Sequence, residues 1–238
     1  MVRITPVVKH LIITNVVIYI ALLFAFKAGL TFVYEDYFML HKSNLLGFRE
    51  TVEQNGKEYY PIYANYNGQR VPVALRPADN FKPIQIVTHF FSHSLADLFH
   101  ILFNMLALFF IGPMTEMVLG SKRFLKFYLF CGVVGGILIA FLDPNNAPVV
   151  GASGAVMGVL VAFAIFFPRQ KLYFMFIPIG IEARWLVTGI GVLSAIFVYL
   201  DWIGADSIGS ISHFGHLAGM IAALMFFYLG KAFPKLLS

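Results

Sequence analysis

Six apolar runs dominate the chain, at residues 7–30, 87–112, 124–142, 149–167, 185–203 and 211–229. Crossing about 30 Å of hydrocarbon takes about 20 helical residues, so runs of this length read as membrane spans. With 59% of the 238 residues hydrophobic and 12% charged, and a mean hydropathy of +0.79, an ordinary soluble domain is excluded. The expected fold is an all-α membrane protein, a bundle of six transmembrane helices forming a single domain over residues 1–238. The first run is long and lacks a small-residue cleavage site, so it is expected to be a retained span rather than a signal peptide.

The cations give the bundle a direction. Arg3 and Lys9 precede the first run; Lys122, Arg123 and Lys126 follow the second; Arg169, Lys171 and Arg184 separate the fourth and fifth; Lys231 and Lys235 end the chain. If six helices alternate, all four clusters share one side, while the connections 143–148 and 201–210 contain no Lys or Arg. The positive side is cytoplasmic, so both termini are expected inside and the long polar segment 31–85 outside. In that segment Asn55-Gly56 and Asn67-Gly68 are flanked by Tyr, Ile and Val, which predicts hairpin turns. The net charge of +5 is explained by scattered loop cations, which gives no nucleic-acid surface, and the lone Cys131 permits no disulfide within the chain and reads as a packing residue.

Polar groups inside spans are costly and therefore candidates for function. On a continuous second helix, His89, His93, Asp97, His100 and Asn104 fall within an arc of about 80° at about 100° per residue. The fourth run opens with Gly151, Ala152, Ser153 and Gly154; the sixth carries His213 and His216. Runs two, four and six all point inward in this topology, which places His100, Ser153 and His216 at similar depth in the outer half of the membrane. Small residues four apart, Gly151 with Ala155, Gly154 with Gly158, and Gly215 with Gly219 and Ala223, let membrane helices approach backbone to backbone. Such an approach sets the Ser153 hydroxyl against the His216 imidazole as nucleophile and general base. Unpaired backbone N–H groups at the helix start, around Gly151 and Ser153, with His100 and Asn104 beside them, form a place for an oxyanion. A metal site at His89, His93 and Asp97 has helical ligand spacing, but no HExxH is present, and neither a metal nor another cofactor is expected.

GASG at Ser153, HILFN from His100 to Asn104, GHLAG from Gly215 to Gly219 and GPMTE from Gly112 to Glu116 together resemble the rhomboid intramembrane serine proteases, over a catalytic core of about residues 82–230. The resemblance implies hydrolysis of peptide bonds in or near the transmembrane helices of membrane-protein substrates. It assigns the dyad to Ser153 and His216 and oxyanion stabilisation to His100 and Asn104. The implied partners are such substrates and the lipid bilayer, and the expected location is a bacterial cytoplasmic (inner) membrane. Two positions depart from many relatives: Ile84 and Gln85 stand where a Trp-Arg pair is common, and Met157 stands where an aromatic residue follows the serine by four. The alternative function is a catalytically silent rhomboid-like protein that binds membrane helices.

Overall fold

The computed structural model describes residues 4–43, 51–66, 69–77, 80–173, 179–203 and 212–232. Arg3, Lys235, the Asn67-Gly68 pair and residues 204–210 of the 201–210 connection lie outside them. Eight helices occur among the described residues: α1 Pro6–Lys27, α2 Thr31–Tyr37, α3 Gln85–Thr88, α4 Leu98–Leu119, α5 Ser121–Leu142, α6 Ser153–Phe166, α7 Ala183–Trp202 and α8 His213–Ala232. Five of these, α1, α4, α5, α7 and α8, are long and apolar enough to cross a membrane. The fourth apolar run differs from expectation, because only 14 of its residues are helical. Residues 149–152 are not helical, and Val149 pairs with Leu40 in an isolated antiparallel bridge.

The short helix is the centre of the bundle. Nine residues of α6, from Ala155 to Ala164, are buried on every side, as expected of a helix without a polar face. Helices α4, α5, α7 and α8 pack around it. The outward faces of the others are apolar: Phe24, Phe99, Phe110, Trp185, Leu193 and Tyr228 are all more than half exposed. A surface like this suits lipid tails rather than water. In lipid, apolar side chains gain little by meeting one another, so close backbone packing has to hold the helices.

The second apolar run is not one continuous helix. Helix α3 and a short 3-10 turn, His89–Phe91, are followed by irregular chain before α4 begins at Leu98. Asp97 sits at the N-cap, its carboxylate accepting from the Phe99 N–H at 2.9 Å, which satisfies one orphan donor and fixes the helix start. Helix α4 then runs past Gly112 and through Pro113 to Leu119, where Gly120 turns the chain at a φ of 76°.

Glu116 of α4 fastens the N-terminus of α1. Its carboxylate accepts from Thr5 Oγ1 at 2.5 Å, Val7 N at 3.2 Å, Val8 N at 3.0 Å and Ser121 Oγ at 2.6 Å. A negative group at the first turn of a helix binds free N–H groups and meets the positive end of the dipole. Glu116→Ala should therefore lower stability by roughly 2–4 kcal/mol, the scale for losing several hydrogen bonds to a charged group. Thermal unfolding in detergent checks this, and Glu116→Gln should fall between the two.

The segment between α1 and α3 departs from the all-α expectation. Strands β1 Val52–Gln54, β2 Lys57–Tyr66 and β3 Gln69–Pro77 form an antiparallel sheet in the order β1-β2-β3. Asn55 and Gly56 link β1 to β2 with φ of 55° and 72°, the type I′ geometry that an Asn-Gly pair favours. Strands β2 and β3 pair from Tyr59 opposite Pro77 to Tyr66 opposite Gln69, with a one-residue register shift between Ile62 and Tyr63. A two-stranded ribbon, β4 Lys171–Leu172 with β5 Ile181–Glu182, leads into α7.

Candidate active site

Ser153 is the first residue of α6, and the chain reaches it through an unusual turn. Gly151 has a φ of +125°, a conformation open to glycine and strained for other residues. It also lacks room for a side chain, since a Cβ there would stand 2.6 Å from His100 Nε2. His100 thus lies directly against the turn that delivers the serine. The Gly151 N–H donates to the His89 carbonyl at 2.9 Å. That N–H, expected to face an oxyanion, is therefore engaged by a carbonyl. The next backbone donors, at the first turn of α6, have no acceptor within the helix.

His100 has a defined orientation. Its Nδ1 accepts from the Ser94 backbone N–H at 3.2 Å, so in the neutral ring the proton is on Nε2, the nitrogen facing Gly151. One turn further along α4, Asn104 donates from Nδ2 to the His100 carbonyl at 2.7 Å. This commits one amide hydrogen to the helix and keeps the side chain on the His100 face.

Helix α8, which opens with His213 and carries His216, meets α6 in a close backbone approach. Extending Gly219 by a Cβ would place it 1.9 Å from the Gly154 carbonyl oxygen, and a Cβ on Gly154 would lie 3.1 Å from the Gly215 oxygen. Gly158 fits under Cys131 and the Gly219 carbonyl. All four glycines, Gly154, Gly158, Gly215 and Gly219, therefore sit where α6 and α8 touch. His213 and His216 open α8 with ring centroids 6.2 Å apart and nearly perpendicular, and His213 stacks on Phe197 of α7 at 4.4 Å. The His100 and His213 imidazoles lie within electrostatic range of His216. Ser153, Gly154 and Gly215 line a narrow crevice against the glycine face of α5. Met157, one turn beyond the serine, is partly buried against the core.

The other polar residues of the second run have separate jobs. His89 Nδ1 hydrogen-bonds the Gln85 carbonyl at 2.9 Å, and its ring lies against Gly136 of α5. His93 is fully buried and stands edge-on to His100 at 5.3 Å. Burial pushes its imidazole down to about 3, so it is neutral near pH 7. With Asp97 capping α4, these three residues do not converge, and no group of three metal-ligating side chains occurs among the described residues.

Gln85, to which no sequence pattern gives a role, proves to be a hub. It is fully buried; its Oε1 accepts from His41 N at 3.3 Å and Lys82 N at 3.1 Å, and its Nε2 donates to the Asp36 and Asn80 carbonyls at 2.8 and 3.0 Å. This side chain ties α2, the segment after it and the approach to α3 together. No local signal marks it, because its partners lie up to 49 residues away.

Comparison with known proteins gives a Rhomboid domain model matching residues 80–232. Rhomboid protein 1, mitochondrial, of Saccharomyces cerevisiae is 32% identical over 162 residues, covering 64% of this chain and 43% of the yeast protein. Rhomboid protease GluP of Bacillus subtilis is 31% identical over 123 residues, 51% of this chain and 21% of that protein. RHOMBOID-like protein 12, mitochondrial, of Arabidopsis thaliana is 34% identical over 123 residues, 42% of this chain and 36% of that protein. The chain thus matches less than half the length of each, and mitochondrial relatives stand beside a bacterial one, so the comparison favours no single compartment.

Proposed function

The chain belongs to the rhomboid family, and on that premise we propose that it is an intramembrane serine endopeptidase. What supports this reading is a serine at the open start of α6, a histidine with its Nε2 turned to the Gly151 turn before that start, and a close backbone contact of Gly219, three residues after His216 on α8, with Gly154, the residue after Ser153. Ser153 Oγ attacks the scissile carbonyl while His216 takes its proton, and His216 then protonates the departing amine. The developing oxyanion is held by the first-turn N–H groups of α6, by His100 Nε2–H and by the second amide hydrogen of Asn104. Water hydrolyses the resulting ester by the same proton transfers in reverse.

Depth also supports the reading. Fourteen helical residues rise about 21 Å, short of the roughly 30 Å hydrocarbon layer. With the basic loop after α6 at the cytoplasmic surface, Ser153 lies below the opposite surface, within reach of a transmembrane substrate. A stable helix hides its carbonyls in its own hydrogen bonds, so the substrate must unwind locally to be cut. The full arrangement is a six-helix bundle with α6 submerged, both termini cytoplasmic and the three-stranded sheet external. An epitope inserted at the Asn55-Gly56 turn should be digested by protease added to intact cells; protection there would reverse the orientation.

Asn104→Ala should lower turnover by roughly a hundred- to a thousandfold, the scale for removing one oxyanion donor, and wild-type turnover would reduce Asn104 to a packing role. The test of the function itself is cleavage of a transmembrane-helix reporter by the purified protein in liposomes. A product ending within or beside the reporter helix is expected. Stable co-purification of intact reporter with no product would favour the silent helix-binding alternative.

A further inference from the structure

We propose that the segment after α2, latched by Lys42 to Asp143, is a positioning device for the loop that delivers Ser153; the proposal rests on the proteolytic reading above. This segment precedes residues 80–232, over which the Rhomboid domain model matches. Leu40, His41, Lys42 and Ser43 are nonetheless all buried. The Leu40 N–H donates to the Val149 carbonyl at 2.8 Å, and the Val149 N–H returns a bond to the Leu40 carbonyl at 3.0 Å. Ser43 N–H donates to the Ala140 carbonyl at 2.9 Å, and Ser92 Oγ donates to the Phe38 carbonyl at 2.9 Å.

The ion pair sits at the end of this strap. Lys42 Nζ lies 2.6 Å from Asp143 Oδ2, with side chains 0% and 3% exposed. Asp143 Oδ1 accepts from the Asn145 N–H at 3.0 Å, so one carboxylate holds the strap and organises the turn that starts the serine loop. Four residues before Ser153 the loop is pinned to Leu40; two residues before it, the Gly151 N–H is pinned to His89. The loop is therefore clamped from both sides, and only one clamp belongs to the matched domain. Two charges buried together stabilise a fold little more than a packed apolar pair would, but they hold a stricter geometry. At the approach to a nucleophile that geometry matters, because a displacement of about 1 Å costs up to about a hundredfold in rate.

The test uses the full-length protein with Lys42→Met/Asp143→Asn, which removes both charges while leaving an Asn oxygen for the turn. A fluorophosphonate probe measures the labelling rate of Ser153 and the fraction labelled at completion, and the reporter gives kcat and KM. We expect kcat and the labelling rate to fall together by about tenfold, within the range for a small misplacement, with KM and the final labelled fraction unchanged. Lys42→Arg, which keeps the pair, should retain most of the rate. Wild-type rates in the double variant would overturn the proposal. So would a fall in labelled fraction with an unchanged rate for the remainder, since that is loss of folded protein alone. If the wild type neither labels nor cleaves, the protease reading fails first and takes this inference with it.

Discussion

Replacing Ser153 by alanine is expected to abolish reporter cleavage, with a loss on the order of 10⁶-fold in kcat, as when the nucleophile of a serine protease is removed. His216→Ala is expected to cost nearly as much, because nucleophile and base act as one unit and their losses do not add. A hydroxyl near neutral pH attacks a carbonyl only as its proton leaves, and the proposed base, His216, stands on α8 three residues before the Gly219 that packs on the Gly154 carbonyl. The double variant should therefore be no slower than either single one. Independent, multiplicative losses would mean that His216 acts elsewhere, and His100 or His213 would then have to be considered as base. Binding should survive in Ser153→Ala, since the substituted atom is a single oxygen, so the variant should still retain reporter when isolated with it.

The second large effect is structural and comes from the seam itself. Gly219→Ala puts a methyl carbon 1.9 Å from the Gly154 oxygen, and both groups are backbone or fixed to it. No side chain can rotate away, so α6 and α8 must separate. Overpacking in a dense interior costs typically about 1–3 kcal/mol and occasionally more, and a clash between two backbones belongs at the upper end. Because the separation also draws His216 from Ser153, activity should fall further than stability. Gly189 serves as an internal control. Gly189→Ala meets nothing within 4 Å, and alanine is the better helix former, so it should not lower the unfolding temperature or turnover. Equal losses at Gly189 and Gly219 would show that the Gly154 contact does not govern them.

Much of this arrangement is legible in the amino-acid order alone. Apolar run length marks the bundle, and the GASG, HILFN and GHLAG stretches mark the elements that meet. The second run misleads because its histidines happen to recur at helical spacing, while the actual break is set by Asp97 as an N-cap and by contacts of His89 and Ser92 with other segments. Asp before an apolar run is a readable cap signal; the distant contacts are not. The fourth run is apolar enough for a span, yet hydropathy cannot tell a non-helical approach from a helical one. The relevant clue is Gly151, whose positive φ and lack of side-chain space mark a turn rather than a helix interior. Lys42 and Asp143 are separated by 101 residues, and each alone looks like an ordinary loop charge. Their meeting depends on how α2 and α5 are placed, which no local pattern encodes. The same is true of Gln85, whose four hydrogen bonds tie α2 and the segment after it to the approach to α3.

The central claim is that Ser153 is a nucleophile activated by His216. Intact-mass analysis of the purified protein after reaction with a fluorophosphonate, followed by peptide mapping, addresses it most directly. The account predicts one adduct per chain, on Ser153, and no adduct within the same time in His216→Ala protein that unfolds within a few degrees of wild type. An adduct on a different residue, or labelling of Ser153 at an unchanged rate without His216, would contradict it.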